Sequence, residues 1–466
     1  MRRARWLSIG VAAPVLVALT AALAAGPAVA APGPHREEWW FSGWSLQRNV
    51  WPLTQGRGVT VAVIDTGVNA ALPDLKGSVL PGKDFERAAD RGMVDHDPGT
   101  GHGTGMASLI VAQGRATGWV GVAPEAKVLP VATISDDPDR IAEGIRYAAD
   151  HGAKVISMSI SAEWTGSPPC PAVVEDAVIY ATEHDAVLVA ASGNSGDRNN
   201  FSTFPAGCPG VVAVGAIQAA GLRPWAGTQR KDYVAVAAPG AQIGSIGKNG
   251  HLYHYGYGTS LATALTSGIV ALIRAKNPGM PAREVVQRLV NTARDVGPKG
   301  RDDQTGYGLV IADKALTARV PASAPNPVYA ALDRWKAEHA RQQRDLTQAP
   351  SLGAKPSSGG GIGSGLVLVG VALIALLLLA TAALVAVRRR RPAPPPVAPA
   401  PFGPPSQFGA PPPQAPPYDP SGHQSRRSPP GGPPYGRPPY PQRPSGPQPH
   451  GHARPGDAPW GDSGPG

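Results

Sequence analysis

Three short segments of the sequence each place one reactive side chain among glycines. Asp65 lies in VIDTGV, His102 in GHGTG and Ser260 in GYGTSLATA. A carboxylate can orient an imidazole, and that imidazole can take the proton of a hydroxyl, which makes the hydroxyl a nucleophile toward carbonyl carbon. These residue types therefore predict acyl-transfer chemistry if the fold brings the three side chains together.

Each of the three residues also has a simpler interpretation when it is considered alone. Asp65 beside Gly67 could form a turn or cap a helix, and a histidine in a glycine-rich turn is weak evidence of a site. Ser260 precedes an apolar helical run, where serine is a common N-cap. The three segments together, each with its glycines, favour one shared site.

Continuous apolar runs alternate with stretches of helical spacing, and this pattern predicts the elements that position the three residues. Runs without polar alternation are typical of parallel strands buried on both faces; they cover 59–64, 155–160, 186–191 and 211–214. Helical spacing follows in 139–151, 173–184 and 281–294. The sequence therefore predicts a layered α/β domain with Asp65 at the end of a buried strand.

The order Asp in DTG, His in GHGT and Ser in GTS resembles the subtilisin-type serine proteases over about residues 45–318. The resemblance implies a three-layer αβα domain with a mostly parallel central sheet. It also implies a serine endopeptidase that cleaves protein or peptide substrates without a cofactor. Asp65, His102 and Ser260 would be its catalytic triad.

Two further segments extend the resemblance to the surroundings of the reacting carbonyl. ASGNSG implies that Asn194 donates its side-chain amide to the oxyanion. VISMSIS implies that Ser159, Ile160 and Ser161 line the cleft and pair with an extended substrate. No metal site is assigned, because the loop acids Asp90, Asp95, Asp97, Asp302 and Asp303 lack clear ligand spacing and are expected to be solvated.

The net charge of +10 does not indicate nucleic-acid binding, because the excess lies at the ends of the chain. Arg2, Arg3 and Arg5 contribute +3, and the residues from Arg388 onward contribute +6. A near-neutral globular part with basic flanks beside apolar segments is a signal of membrane topology.

The apolar segments predict export and anchoring. Residues 1–30 have the basic start, apolar centre and small-residue end of a signal peptide, although an uncleaved anchor is the alternative. The charge-free run 366–387 is long enough to span a bilayer, and the four arginines after it predict a cytoplasmic end. The domain at 45–318 would then lie outside the cell membrane, between an extension at 31–44 and a linker at 319–365.

The two cysteines, Cys170 and Cys208, both fall in the part predicted to be exported. A structural disulfide is the default in an oxidising compartment. The tail at 388–466 is rich in proline and predicted to be disordered, and it could serve as a spacer or as a docking element for aromatic grooves.

The entry segment NVWPLTQGRGVTVAVIDTGVN, together with the short stretch before Asp65 and the C-terminal anchor, is most similar to the mycosins. These membrane-anchored proteases accompany type VII secretion systems. The resemblance implies a role in processing secreted substrates and in stabilising the secretion complex. The alternative hypothesis is a structural scaffold for that complex, with proteolysis secondary.

Overall fold

A seven-stranded parallel sheet forms the centre of the computed structural model, which describes residues 34–133 and 136–348. The strands are buried almost throughout, as expected for apolar runs without polar alternation. In their order across the sheet they are β2 (Lys83–Asp84), β3 (Lys127–Ala132), β1 (Thr60–Asp65), β4 (Val155–Met158), β6 (Val187–Ala191), β8 (Val211–Ile217) and β9 (Val234–Pro239).

Two antiparallel strand pairs stand outside this sheet. One pair joins β5 (Ala162–Trp164) to β7 (Ser202–Phe204), and the other joins β10 (Ala241–Ile246) to β11 (Leu252–Tyr257). The second pair directly precedes Ser260 in the chain, so its position matters for the site.

Helices cover both faces of the sheet. They are α1 (Trp40–Gly43), α2 (His102–Val111), α3 (Pro138–Asp150), α4 (Ala172–Glu183), α5 (Thr259–Lys276), α6 (Ala282–Asn291), α7 (Ala312–Thr317) and α8 (Pro327–Gln348). Helices α2, α5 and α6 pack into one core, and α3 and α4 pack into a second core on the other face. The predicted three-layer α/β architecture with a mostly parallel sheet is confirmed.

The segment that precedes β1 is part of the core. Trp40, Phe41 and Trp44 are buried, so the packed region begins ahead of residue 45, where the sequence placed the start of the domain. The indole nitrogen of Trp44 donates to the carbonyl oxygen of Val310 at 2.7 Å. This bond fixes the segment before β1 to a residue that lies 266 positions later in the chain.

A disulfide joins Cys170 to Cys208, as the sequence predicted, with 38 residues of separation. Both cysteines are buried. Helix α4 begins just after Cys170, and β8 begins just after Cys208. The bond therefore ties the start of a covering helix to the start of a central strand.

The C-terminal helix α8 lies in the segment 319–365 that the sequence predicted as a linker, and its first turns pack against the core. Val328, Tyr329 and Leu332 are buried against the core, because one side of its first turns is apolar. Within 34–133 and 136–348, no helix combines the length and apolarity needed to cross a bilayer. The predicted signal peptide at 1–30, span at 366–387 and tail at 388–466 lie outside the described residues.

Candidate active site

Asp65 and His102 form a direct pair at the end of β1. Asp65 is the last residue of the strand and is almost fully buried, whereas His102 is the first residue of α2. The ring nitrogen Nδ1 of His102 donates to Oδ1 of Asp65 at 2.7 Å. Because Nδ1 carries the proton in this bond, Nε2 on the other side of the ring is the unprotonated nitrogen. It is the nitrogen that can accept a proton from a nucleophile.

Glycine permits this pairing because the backbone segments approach very closely. A Cβ at Gly103 would lie 2.2 Å from the carbonyl oxygen of Gly67 and 3.2 Å from the Cβ of Asp65. Gly67 itself has a φ of +100°, which L side chains rarely adopt. Gly103 is thus required by the approach of α2 to the end of β1, and Gly67 by its positive φ and by the carbonyl oxygen of Val94, which a Cβ would meet at 2.0 Å.

Asp95 is buried next to the pair of Asp65 and His102 and is hydrogen-bonded to Thr66 and Thr104. The expectation that Asp95 is a solvated loop acid is therefore wrong. Its Oδ1 accepts a hydrogen bond from the Thr66 hydroxyl at 2.8 Å, and its Oδ2 accepts bonds from the backbone and hydroxyl of Thr104. The carboxylate is buried at 5% exposure. Asp95 therefore connects the residue after Asp65 to the first turn of the helix that carries His102.

The electrostatic environment favours the protonated imidazole. The negative charge of Asp65 is the largest influence and raises the pKa of His102 from 6.5 to about 9, although burial acts in the opposite direction. The hydrogen bond that His102 donates to Asp65 and the charges of Asp97 and Asp95 add to the increase. An imidazole held in this way is stabilised as the cation that forms when it accepts a proton.

Ser260 lies at the start of α5 and shares hydrogen bonds with the segment after β4. Its hydroxyl donates to the carbonyl oxygen of Ser159 at 2.9 Å, and the Ser159 hydroxyl donates to the carbonyl oxygen of Ser260 at 2.9 Å. Among the described residues, Ser260 makes no hydrogen bond to His102. In free enzymes such catalytic hydrogen bonds are often long and tighten only when substrate binds.

Asn194 follows β6 and faces the same cleft as Ser260. Its Oδ1 accepts hydrogen bonds from the backbone and the hydroxyl of Thr259, each at 2.9 Å. These bonds orient the side-chain amide and leave Nδ2 without a hydrogen-bond partner among the described residues. The side-chain N–H groups of Asn194 and the backbone N–H of Ser260 are therefore candidate donors to one oxyanion.

The cleft has a volume of about 460 Å³, and its aromatic wall was not predicted from the sequence. The wall is formed by β11, and Tyr255 and Tyr257 are 68% and 53% exposed. The aromatic run in YHYGYG just before Ser260 was the available signal. Ser159 contacts Ser260 directly, but Ile160 and Ser161 are not among the residues that line this cavity.

The N-terminal segment contacts the cleft wall, and none of its residues from 34 to 53 is among those that line the cleft. Oε1 of Glu37 lies 3.2 Å from Nδ1 of His254, and His254 lines the cleft. The next residue, Glu38, is buried, and burial raises the pKa of its carboxyl to about 8 despite hydrogen bonds from the backbones of His35 and Val120. Through the contact between Glu37 and His254, this segment is joined to β11, the strand that forms the aromatic wall of the cleft.

One group of side chains in the described part of the chain has the spacing of metal ligands. It consists of Asp84, Asp90 and His96, and it includes none of the residues that line the cleft. The cleft itself presents a carboxylate-supported imidazole, a hydroxyl and an amide donor. That set can form and break acyl bonds without a metal ion or an organic cofactor.

A family model described as the subtilase family, peptidase S8, matches residues 56–308. Fervidolysin from Fervidobacterium pennivorans is 36% identical over 318 residues, which is 61% of this chain and 44% of that protein. Its crystal structure matches with a TM-score of 0.55. Thermitase from Thermoactinomyces vulgaris is 34% identical over 275 residues, 57% of this chain and 91% of that protein.

The solved structures that match include proteases of type VII secretion systems. The MycP3 protease from the type VII (ESX-3) secretion system is 32% identical, with a TM-score of 0.53, over 63% of this chain and 90% of that one. The predicted resemblance to subtilisin-like proteases, with mycosins among the structural neighbours, is confirmed. This chain spans less than half the length of fervidolysin.

Proposed function

Because the chain belongs to the subtilase family, we propose that it is a serine endopeptidase whose catalytic residues are Asp65, His102 and Ser260. The observation that carries the proposal is the 2.7 Å bond between Asp65 and His102, at a cleft that Ser260 and Asn194 also line. The substrates would be proteins or peptides in extended conformation.

The residues have separate roles in this reaction. Ser260 Oγ attacks the peptide carbonyl carbon while His102 Nε2 takes the hydroxyl proton, and Asp65 orients the ring and stabilises its cation. His102 then gives the proton to the leaving amine, which leaves an acyl group on Ser260. A water molecule, activated by the same imidazole, hydrolyses this ester and restores the serine.

Charge develops on the carbonyl oxygen during both steps. The amide of Asn194 and the backbone N–H of Ser260 would donate to that oxygen, and Asn194 is held ready by its bonds to Thr259. Donors that are oriented before the reaction need no reorganisation in the transition state.

Hydrolysis of an unfolded protein substrate by the purified full chain tests the proposal. We expect the wild-type chain to produce new peptide N-termini and Ser260→Ala to produce none above background. The matched control is Ser42→Ala, because Ser42 is an exposed serine on α1. Equal cleavage by wild type and Ser260→Ala would refute the assignment of the nucleophile.

We further propose that the protease is anchored in the cell membrane with its catalytic domain outside the cytoplasm and acts with a type VII secretion complex. The sequences of 1–30 and 366–387 support the proposed membrane topology. The similarity to the MycP3 protease supports the proposed link to type VII secretion. Protease protection of the domain and the tail in intact cells tests the topology. A protected domain with an accessible tail would contradict it.

A second candidate function is a scaffold for the secretion complex. The observation that favours it is the bond from the Ser260 hydroxyl to the Ser159 carbonyl, which uses the one proton that Ser260 could donate to His102. Secretion should fail on deletion of the gene in both cases. Secretion that survives Ser260→Ala would support the scaffold, whereas secretion lost in that variant would support proteolysis.

A further inference from the structure

A pocket of about 360 Å³ at the amino ends of β1 and β3 is lined mainly by basic side chains. Gly58 precedes β1, and Lys127 is the first residue of β3. The pocket therefore lies at the edge of the sheet opposite Asp65, which ends β1 roughly 17 Å along the strand. Its charged side chains are those of Arg57, Lys76, Arg115, Lys127 and Glu125.

The pocket concentrates positive charge in a domain that is otherwise almost neutral. Four cations and one carboxylate give the pocket a formal charge of +3. Residues 6–387 together carry only +1, because the two ends of the chain account for the rest of the total of +10. The carboxylate of Glu125 lies 2.7 Å from Arg57, so it compensates one cation directly. A concave site with an excess of one charge attracts ligands of the opposite charge.

The other three cations line the pocket without a carboxylate partner in the described part of the chain. The guanidinium group of Arg115 donates to the carbonyl oxygen of Lys76 at 2.8 Å. The ammonium group of Lys127 donates to the carbonyl oxygen of Gly77 at 2.5 Å. These bonds hold both groups at the turn formed by residues 76 and 77. A neutral carbonyl leaves their charge uncompensated and their remaining N–H donors available.

Ser78 supplies a neutral donor to the same pocket. The residue is 4% exposed, and its hydroxyl forms no hydrogen bond with any described residue. Its backbone is fixed, because its N–H donates to Leu75 and its carbonyl oxygen accepts from Val128. The hydroxyl of Ser78 is therefore held at the pocket and is available to a ligand.

The donor set selects the chemistry of the ligand. Guanidinium groups match the geometry of phosphate oxygens, and ammonium groups bind phosphate as point charges. A phosphate group also provides several strong acceptor oxygens, which can use the hydroxyl as a further donor. We propose that the pocket binds the phosphate group of an anionic ligand through Arg57, Lys76, Ser78, Arg115 and Lys127.

An anionic phospholipid headgroup is the favoured source of this phosphate, and that choice rests on the membrane anchor proposed above. The helix α8 precedes the predicted span at 366–387 and packs at the same edge of the sheet as the pocket. A Cβ at Gly210, directly before β8, would lie 3.1 Å from Leu332 of α8. The segment that leads toward the proposed anchor thus starts from the edge that carries the pocket.

Lysine footprinting of the full chain in nanodiscs tests the inference. The nanodiscs contain phosphatidylcholine alone or mixed with phosphatidylglycerol, and an amine-acetylating reagent is added. Mass spectrometry then gives the acetylation rate of each lysine. Individual lysines are followed because Arg388–Arg391 would also attract anionic lipid and would dominate a measurement of overall binding.

We expect Lys76 and Lys127 to be acetylated more slowly in the nanodiscs that contain phosphatidylglycerol, because a bound headgroup covers their ammonium groups. Lys299 is exposed and lies outside the pocket, so its rate should be the same in both kinds of nanodisc. A second sample in neutral detergent is treated with glycerol 1-phosphate, which carries the same phosphate chemistry without a membrane.

The double variant Arg57→Gln with Arg115→Gln should lose this protection. Each cation near an anionic surface contributes roughly fivefold to binding, so the loss of two should weaken binding by roughly 25-fold. The matched control is Arg223→Gln with Arg230→Gln, which removes the same charge from two exposed arginines outside the pocket. The control should retain the protection of the wild type.

The two samples separate the possible outcomes. Protection by glycerol 1-phosphate without protection by phosphatidylglycerol would support the phosphate site and assign it to a soluble ligand. Lysines of the pocket that neither compound protects, or protection that persists in the double variant, would overturn the proposal. A chain that does not copurify with the nanodiscs would contradict the membrane anchor alone, since the sample in detergent needs no anchor.

Discussion

Ser260 and Ser159 exchange two hydrogen bonds, each from the hydroxyl of one residue to the carbonyl oxygen of the other at 2.9 Å. The pairing joins the start of α5 to the segment that follows the carboxyl end of β4. The Ser260 hydroxyl must therefore rotate before it can donate to His102. The arrangement describes an enzyme at rest whose base is already oriented by Asp65.

The pKa of His102 predicts the pH dependence of the proposed activity. The imidazole must be neutral to accept the Ser260 proton, and the charge of Asp65 raises its pKa to about 9. We expect kcat/KM to increase with pH until about 9, as measured by initial rates on a peptide substrate. In Asp65→Asn the apparent pKa should fall toward 6.5, and the rate should fall by about 10⁴.

The same shift has a consequence for stability. Because the pKa of His102 is higher in the folded than in the unfolded chain, its contribution to stability is full below pH 6.5 and disappears as the pH rises through about 9. For the activity prediction, a kcat/KM that is already constant above pH 6.5 and whose apparent pKa is the same in Asp65→Asn would contradict the claim that Asp65 raises the pKa of His102.

Asn194→Ala should lower kcat by about 10² to 10³ while KM changes little. The loss of one such amide donor costs about 2.7 to 4 kcal/mol in subtilisin itself, the source of this magnitude. The control is Asn291→Ala, an exposed residue of α6 outside the cleft. Steady-state kinetics of both variants give the comparison, and a loss confined to KM would assign Asn194 to ground-state binding instead.

Asp185 should stabilise the domain by compensating the charge of Arg274. Arg274 is 2% exposed and Asp185 is 40% exposed, and Asp185 also accepts a bond from the backbone of Ala282 at the start of α6. Asp185→Asn retains an acceptor and suits the φ of +63° at this position. We expect a loss of about 3 kcal/mol in the free energy of unfolding at neutral pH.

The exposed pair between Asp333 and Arg283 supplies the matched control. Asp333→Asn should cost no more than about 1 kcal/mol, since both side chains are more than half exposed.

Burial raises the pKa of Asp185, but bonds from Arg274 and Ala282 outweigh it and keep the pKa below its ordinary value. The stabilisation is therefore present above pH 3.8 and is lost as the pH falls through that lower pKa. Urea unfolding with equal losses for the two variants would contradict this account.

Removal of the disulfide should lower the stability of the domain without changing the site. The double variant Cys170→Ser with Cys208→Ser frees a loop of 38 residues in the unfolded chain. The chain-entropy model gives a loss of about 4 kcal/mol. Thermal unfolding of the variant, compared with the wild type with and without reductant, measures the loss. A variant as stable as the oxidised wild type would show that the bond adds nothing.

The sequence was sufficient to predict the elements whose signals are local. The apolar run before Asp65, and the glycines around Asp65 and His102, reflect burial and close approach at the same residues. The order of the three reactive residues along the chain indicated the family. Each of these features lies within a short segment of sequence, so it could be recognised without knowledge of contacts between distant residues.

The parts that escaped prediction depend on contacts between distant residues. Trp44 bonds to Val310, which lies 266 positions later in the chain, so the packing of the N-terminal segment could not be read locally. The alternation in β11 mixes tyrosine with histidine and glycine, which gives no clear apolar face. Asp95 looked like a loop acid because its partners, Thr66 and Thr104, are fixed only by the fold.

The central claim is that Ser260 is a nucleophile activated by His102. The most direct measurement is reaction of the intact, folded full chain with a fluorophosphonate probe, followed by tandem mass spectrometry to locate the adduct. We expect one adduct on Ser260 that is absent in Ser260→Ala and formed much more slowly in His102→Ala. Folded protein without an adduct, or an adduct on another residue that persists in Ser260→Ala, would contradict it.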